Sequence, residues 1–291
     1  MNRLPIAFLS DFGLSDEFVG VVHGVIARIA PEVRVIDVTH GVGRGDVRAG
    51  ALALLRAVQY LPPGVALAVV DPGVGSDRRP IAARSPWGYF VGPDNGLLAP
   101  AIQMVGGAEQ VVALENPQFV IPHEGATFAG RDQFAPAAAV LASGQAKLED
   151  LGSPVAPGTL TPMLLPLTEV SDRQAQGEVW WVDHFGNAQT NIAPQELSAL
   201  GVQPGDRLIL RVGGAVHELP WLSSYAEADV GEALVHIDSY GLMAIAVREG
   251  RADERFNLAE RLAVSFLPSR AEEQREPPDD GSPQDDHQQD Q

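Results

Sequence analysis

The chain contains no cysteine. That excludes disulfides, thiolate nucleophiles and cysteine-bound metals, and says little about compartment. Positive charge is scarce: Lys and Arg number 20 against 38 Asp and Glu, a formal net charge of −18. Such a surface repels phosphate backbones and anionic lipid headgroups, which sets nucleic acid and membrane aside as partners. Long apolar runs are missing too, and nothing approaches the ~20 residues of a membrane helix. The early run 6–9 is too short for a signal-peptide core and has Asp11 just beyond it. A cytoplasmic enzyme is the expectation. No Gly-x-Ser-x-Gly elbow and no His-Glu-x-x-His pair occurs, and Gly73-Val74-Gly75 lacks the Lys-Ser/Thr ending of a phosphate loop. His123, His184, His217 and His236 are scattered, without zinc spacing.

What is present is a globular chain of 291 residues, 45% of them hydrophobic. Residues 271–291 are rich in Asp, Gln and Pro, with Arg275 as their only Lys or Arg. Such a segment buries too little apolar surface to offset its chain entropy and reads as a disordered acidic tail.

The first half alternates two periods. Apolar runs at 5–9, 33–38, 65–70, 89–91 and 110–114 read as buried parallel strands. Helical spacing fills 16–29, 46–60 and 132–142, with Phe18, Val22, Val25 and Ile29 marking one apolar face of the first. Strand, helix, strand at this spacing predicts an α/β domain: a mostly parallel sheet with helices on both faces. The pattern changes near residue 151, where Pro154, Pro157, Pro162 and Pro166 interrupt any period. Beyond come short runs at 178–183, 207–212, 233–237, 242–247 and 262–266, which predict a small antiparallel β-barrel. The expected domains are 1–160 and 175–268, joined by a linker at 161–174 and followed by the tail at 269–291.

Polar motifs recur where the predicted parallel strands end. They are Ser10-Asp11-Phe12-Gly13, Asp37-Val38-Thr39-His40, Asp71-Pro72-Gly73-Val74-Gly75 and Gly92-Pro93-Asp94-Asn95-Gly96. Open α/β sheets bind ligands along that edge. Four carboxylates there suit a hydroxyl-rich or cationic ligand; a magnesium site is the rival reading. Asp and Gly are also ordinary turn and cap residues, and Asp16 is an N-cap candidate for the first helix. Two more motifs follow: Thr127-Phe128-Ala129-Gly130-Arg131-Asp132, and the run from Asp183 through Phe185, Asn187 and Gln189 to Asn191. An Asn beside an aromatic can grip a purine edge while the ring stacks on its face.

Taken in order, these six motifs resemble the S-adenosylmethionine hydroxide adenosyltransferases, relatives of fluorinase and chlorinase, from about residue 6 to residue 266. The resemblance implies hydrolysis of S-adenosylmethionine to adenosine and methionine, with no cofactor and no metal. It also implies a homotrimer whose active sites lie between the first domain of one subunit and the second domain of the next. Carried over by position, it implies that Asp11 grips the ribose hydroxyls, Asp16 meets the methionine ammonium, and Phe128 and Gly130 line the reacting centre. Asp183, Phe185 and Asn187 would come from the neighbouring subunit, with Asn187 on the adenine edge. Tyr225 would pack on the base, and Ser239 and Tyr240 would hold the methionine carboxylate. Asp71 and Arg78 match two members of the Asp-Arg-His set of the family's hydrolytic members. The position of the third is Ala129. Either water is activated without that imidazole, or a group such as His123 supplies it, or turnover is slow; a binder that has lost catalysis is the alternative. Halide-using relatives carry an aromatic where Asp71 stands, and fluorinase a serine where Gly130 stands, which places this chain with the hydrolases.

Overall fold

The computed structural model describes residues 3–122 and 124–269. His123 and the acidic tail beyond residue 269 lie outside the described residues. The chain divides into two compact units at Leu165–Pro166.

In the first unit, strands β1 (Ile6–Ser10), β2 (Val35–Thr39), β3 (Val65–Val69), β4 (Pro80–Arg84), β5 (Tyr89–Pro93), β6 (Gln110–Ala113) and β7 (Pro154–Val155) form one sheet in the order β2-β1-β3-β5-β4-β6-β7. The first four in that order are parallel neighbours, with Ile6 opposite both Val35 and Val65, and Val65 opposite Tyr89. The sheet departs from expectation at β4, which pairs antiparallel with β5 and β6. It carries alanines at its centre, whose weak apolar signal hid it in the sequence.

Helices α1 (Phe18–Ile29), α2 (Val47–Val58), α3 (Ala99–Met104) and α4 (Ala135–Ser143) cover both faces. Along β3, Val65, Leu67 and Val69 pack with α1 and α4, whereas Ala66, Ala68 and Val70 pack with α2 and α3. Successive side chains point to opposite faces of a strand, so a strand apolar throughout joins two cores. The expected helix at 132–142 enters through a π turn at Gly130–Phe134, where the Ala135 N–H reaches back to the Gly130 carbonyl. Pro136 has no N–H to close the next α-type bond, which favours the wider turn. Asp46 caps α2 by accepting the Ala49 N–H at 3.0 Å. The Asp16 cap expected for α1 does not form: the helix starts at Phe18 behind Glu17, with no side-chain cap.

The second unit is a nearly closed antiparallel sheet. Its strands are β8 (Glu169–Val170), β9 (Ala175–Val182), β10 (Ala188–Thr190), β11 (Arg207–Val212), β12 (Ala215–Pro220), β13 (Ala233–Ile237), β14 (Met243–Val247) and β15 (Ala263–Pro268). Their order is β12-β11-β15-β9-β10-β14-β13, with β8 added on β9. A bridge between Trp221 and Val235 draws the ends of this order together. Val179, Ile245, Trp221 and Phe266 fill the interior. Short helices α5 (Pro194–Ala199) and α6 (Ala252–Phe256) lie between strands. No helix among the described residues is long and apolar enough to cross a membrane.

Gly92 sits within β5, where a Cβ would stand 2.3 Å from the Ala68 carbonyl oxygen of β3. Gly92→Ala should therefore destabilise the first unit by about 2–3 kcal/mol through overpacking. Denaturant unfolding of the intact chain measures this, and an unchanged midpoint would show that the β3–β5 spacing relaxes freely.

Candidate functional site

The carboxyl ends of β1, β2, β3 and β5 bring the four acidic loops to one edge, and the fold treats their carboxylates differently. Asp71 follows β3. The turn from Asp71 to Ser76 closes on itself, with the Val74 N–H donating to the Asp71 carbonyl and the Ser76 N–H to that of Gly73. That turn returns Arg78 to Asp71. Arg78 Nε donates to both carboxylate oxygens, at 3.0 and 2.8 Å, and Nη2 donates to Oδ2. Both side chains are largely buried, 12% exposed for Arg78 and 5% for Asp71. This is the fork geometry in which guanidinium matches carboxylate, and burial makes it costly to break. The Arg78 guanidinium also stands 5.3 Å from the centre of the Phe134 ring.

Asp94, after β5, accepts Arg79 Nε at 2.9 Å and Nη2 at 2.6 Å, and its other oxygen accepts the Thr161 N–H at 2.7 Å. Asn95 donates to the Val70 carbonyl. The Gly92–Gly96 motif thus anchors the chain near Thr161 rather than offering a ligand a carboxylate. Asp37, within β2, accepts His40 Nε2 at 3.0 Å and His23 Nε2 at 2.9 Å on one oxygen. Burial alone would raise its pKa, but the hydrogen bonds from His40 and then His23 outweigh that and hold the carboxyl below the usual range. Asp11 is different. It gives one oxygen to the fold, accepting the Gly45 N–H at 2.8 Å. The expected edge of four available carboxylates therefore reduces to one, because the other three already meet bases of this chain. Among the described residues no three of His, Asp and Glu are grouped to hold a metal ion.

Aromatic rings wall this edge. Phe128 meets Phe12 and Phe18 edge-on, at 5.7 and 5.0 Å between ring centres. Gly130 lies under them: a Cβ there would stand 2.9 Å from Phe12 Cζ and 3.3 Å from Phe128 Cε2. A cavity of about 220 Å³ opens beside the wall, lined by Ser76, Arg78, Ala126, Ala129 and Gln133 among others. Arg78 and Ala129 therefore share one space. Asp16 is exposed in the bend before α1.

The second unit carries its own cluster. Asp183 closes the hairpin between β9 and β10, accepting the Phe185 and Asn187 N–H groups at 2.9 and 2.8 Å on one oxygen and Asn187 Nδ2 at 2.8 Å on the other. Asn187 is thereby oriented, with one N–H of its amide turned to Asp183. A cavity of about 410 Å³ gathers Asp183, Asn187, Tyr225, Ser239 and Tyr240. Phe185, 72% exposed at the hairpin tip, instead lines an adjoining cleft of about 640 Å³ with Tyr225 and Arg251. Burial, and then the charges of Asp183 and Asp238, push the Tyr225 hydroxyl above its ordinary pKa.

The sequence reading missed other residues of this wall. Trp181, Gln189, His236 and Asp238 line the same cavity. Gln189 Nε2 donates to Asp238, while Gln189 Oε1 and His236 Nε2 are buried acceptors without a partner among the described residues. His236 packs 4.8 Å from the Tyr225 ring. Gln189 stood inside a motif already singled out; His236 gave no signal beyond its own identity.

Comparison with known proteins places these features in a family. Residues 6–152 match the model of the SAM hydroxide adenosyltransferase N-terminal domain, and residues 177–265 that of the C-terminal domain. An (R)-S-adenosyl-L-methionine hydrolase of Salinispora arenicola is 48% identical over 249 residues, which span 85% of this chain and 91% of that protein. One from Thermus thermophilus is 40% identical over 90% of this chain and 99% of its own length. A fluorinase of Nocardia brasiliensis is 29% identical over 90% of this chain and 96% of its own. A Thermotoga maritima structure described as an uncharacterized conserved protein superposes with a TM-score of 0.85 at 35% identity, covering 90% of this chain and 99% of that one.

Gly130→Ala should force the Phe12 and Phe128 rings apart and lower nucleoside affinity, with a stability loss of about 1–3 kcal/mol. Calorimetric titration with adenosine, beside a thermal melt, measures both; unchanged affinity would place the aromatic wall away from the ligand.

Proposed function

Because the chain belongs to the SAM hydroxide adenosyltransferase family, we propose that it hydrolyses S-adenosylmethionine to adenosine and methionine. The observation that carries this reading is the buried Asp71–Arg78 fork opening on the cavity bounded by Ala129. The hydrolase relatives bear the (R) designation in their names, so the (R) sulfonium is the proposed substrate form.

The chemistry is in-line displacement. Water attacks the ribose C5′, a C–O bond forms, and the C5′–S bond breaks with its electron pair returning to sulfur. The sulfonium leaves as a neutral thioether and needs no acid, and the water proton passes to solvent. The protein must hold water opposite sulfur and exclude competing solvent. Arg78 lowers the cost of hydroxide character, and Asp71 fixes the guanidinium plane. Asp11 takes the ribose hydroxyls with the oxygen that Gly45 leaves open. Asn187, fixed by one amide N–H on Asp183, presents its amide oxygen to the adenine amine, and Tyr225 packs on the base. Asp16 meets the methionine ammonium, and Ser239 and Tyr240 its carboxylate.

These residues divide between the two units: Arg78 lines a cavity of the first, and Asn187, Tyr225, Ser239 and Tyr240 share one of the second. We read the working form as a homotrimer in which the first unit of one copy faces the second unit of the next.

Ala129 supports a second reading, a binder of S-adenosylmethionine or adenosine that does not turn over. Halide transfer is disfavoured because the Asp71 carboxylate takes up the charge of Arg78, leaving no free cation there to hold an anion at the nucleophile position.

The test is incubation with (R)- and (S)-S-adenosylmethionine, with and without chloride, followed by chromatography of the nucleosides. Equal adenosine and methionine from the (R) form are expected. Arg78→Ala should lower kcat by about 10²–10⁴-fold. Arg78→Lys, which keeps the charge without the fork, should fall between. An unchanged rate in both variants would remove the fork from the mechanism, and bound nucleoside without product would establish the binder.

A further inference from the structure

The loop that carries Asp11 is held from behind by a relay whose two inner members, Ser10 and His40, are buried and whose outer member, Asp37, is exposed. Ser10 Oγ and His40 Nδ1 are 2.8 Å apart. His40 Nε2 is 3.0 Å from Asp37 Oδ1, which His23 Nε2 also reaches at 2.9 Å. Asp37 is an acceptor when ionised, so the proton of His40 belongs on Nε2. Nδ1 then accepts the Ser10 hydroxyl, and Ser10 Oγ in turn accepts the Phe12 N–H at 3.3 Å. Every donor in this series has an acceptor. The same histidine acts through its backbone, its carbonyl accepting the Gly13 N–H at 2.8 Å. Its ring also packs on Phe8, 4.5 Å between centres. Asp11 thus lies between two residues, Ser10 and Phe12, tied to one imidazole.

Ser, His and Asp in this order have the arrangement of an acyl-transfer triad. Burial decides against that role. Ser10 is 0% exposed and His40 6% exposed, and the Ser10 oxygen is occupied by the Phe12 N–H. No substrate carbonyl can reach it.

We propose that His40 is a positioning residue for nucleoside binding: the Asp37–His40–Ser10 relay fixes the Asp11 carboxylate in the place where it meets the ribose hydroxyls. The inference rests on the reading of Asp11 as the ribose contact. A carboxylate that accepts one backbone N–H retains freedom at its other oxygen, so its aim depends on the backbone on either side. Breaking the relay at Ser10 leaves His40 Nδ1 and the Phe12 N–H without partners inside the protein, and the loop must shift to hydrate them.

Three variants separate positioning from bulk stability. Ser10→Ala removes the middle of the relay. His40→Gln sets an amide donor near the former Nε2, toward Asp37, and gives Ser10 nothing. His40→Asn sets an amide oxygen near the former Nδ1, toward Ser10, and gives up Asp37. Steady-state kinetics with S-adenosylmethionine and calorimetric titration with adenosine are run on the intact protein, beside thermal melts. Ser10→Ala and His40→Gln should raise KM and the adenosine Kd about ten- to a hundredfold with a smaller change in kcat, while His40→Asn recovers most of the affinity. Lower melting temperatures in all three with unchanged KM and Kd would overturn the proposal, leaving the relay a packing feature. Should the unaltered protein bind adenosine without turning over S-adenosylmethionine, the hydrolase reading falls, and the adenosine Kd of the same variants still decides the relay.

Discussion

A carboxylate taken out of water must be met by a cation or by hydrogen-bond donors, and the first unit is arranged around that requirement. Parallel strands deliver several acids to one edge of the sheet, where mutual repulsion and burial would otherwise destabilise them. Each is answered from a different direction. Arg78 returns to Asp71 across a glycine turn, Arg79 reaches Asp94, and His40 and His23 share Asp37. Next to the aromatic wall, Arg131 neutralises the buried Asp132 while its guanidinium lies 5.2 Å from the Phe128 ring centre. These pairs make the edge rigid. Rigidity at fixed charges is what a binding site needs, because a preorganised group spends no free energy on reorientation when the ligand arrives.

Much of the fold could be read beforehand. Buried parallel strands are apolar throughout, so β1 and β3 stood out against amphipathic helices. Strand β4 did not, because Ile81-Ala82-Ala83 between Pro80 and Arg84 carries little β signal. Strand β10 was hidden for the opposite reason. Gln189 and Thr190 are polar yet buried, and the Thr190 hydroxyl donates to the Met243 carbonyl at 2.8 Å. The motifs named the candidate site residues, but not the allocation of their charges. An aspartate bonded to an arginine and one left open to a ligand look identical in sequence. Telling them apart needs contacts such as Asp94 with Thr161, 67 positions away. His236 and Trp181 join the second cavity only through the strands and turns that bring them together, which no local spacing announces.

The second unit uses the same economy on a smaller scale. Both oxygens of Asp183 are consumed in closing a hairpin, so this acid contributes geometry as well as charge. Its gift to the site is the fixed direction of Asn187, whose amide would otherwise be free to flip. The rest of the motif turns inward: Asn191 accepts the Glu178 N–H at 2.8 Å and donates to the Pro166 carbonyl at 3.1 Å. One continuous polar run therefore fixes a hairpin beside the second cavity at its start and serves folding at its end.

The alanine at position 129 can be weighed against what the proposed reaction requires. A sulfonium already draws electrons from C5′ and leaves without charge, so the barrier lies in placing water and stripping its solvent, not in protonating a leaving group. The Asp71–Arg78 pair is neutral as a whole, and in the proposed reaction it would face the nucleophile as a fixed dipole rather than as a free cation. A dipole orients water strongly but shifts its acidity less than an unpaired guanidinium would. Deprotonation then follows attack instead of preceding it, because water gains acidity as its oxygen bonds to carbon. On that sequence of events an imidazole beside the water would ease the late proton loss without being needed to start the reaction. A small residue at 129 is thus compatible with hydrolysis, and its cost falls on rate rather than on the identity of the product.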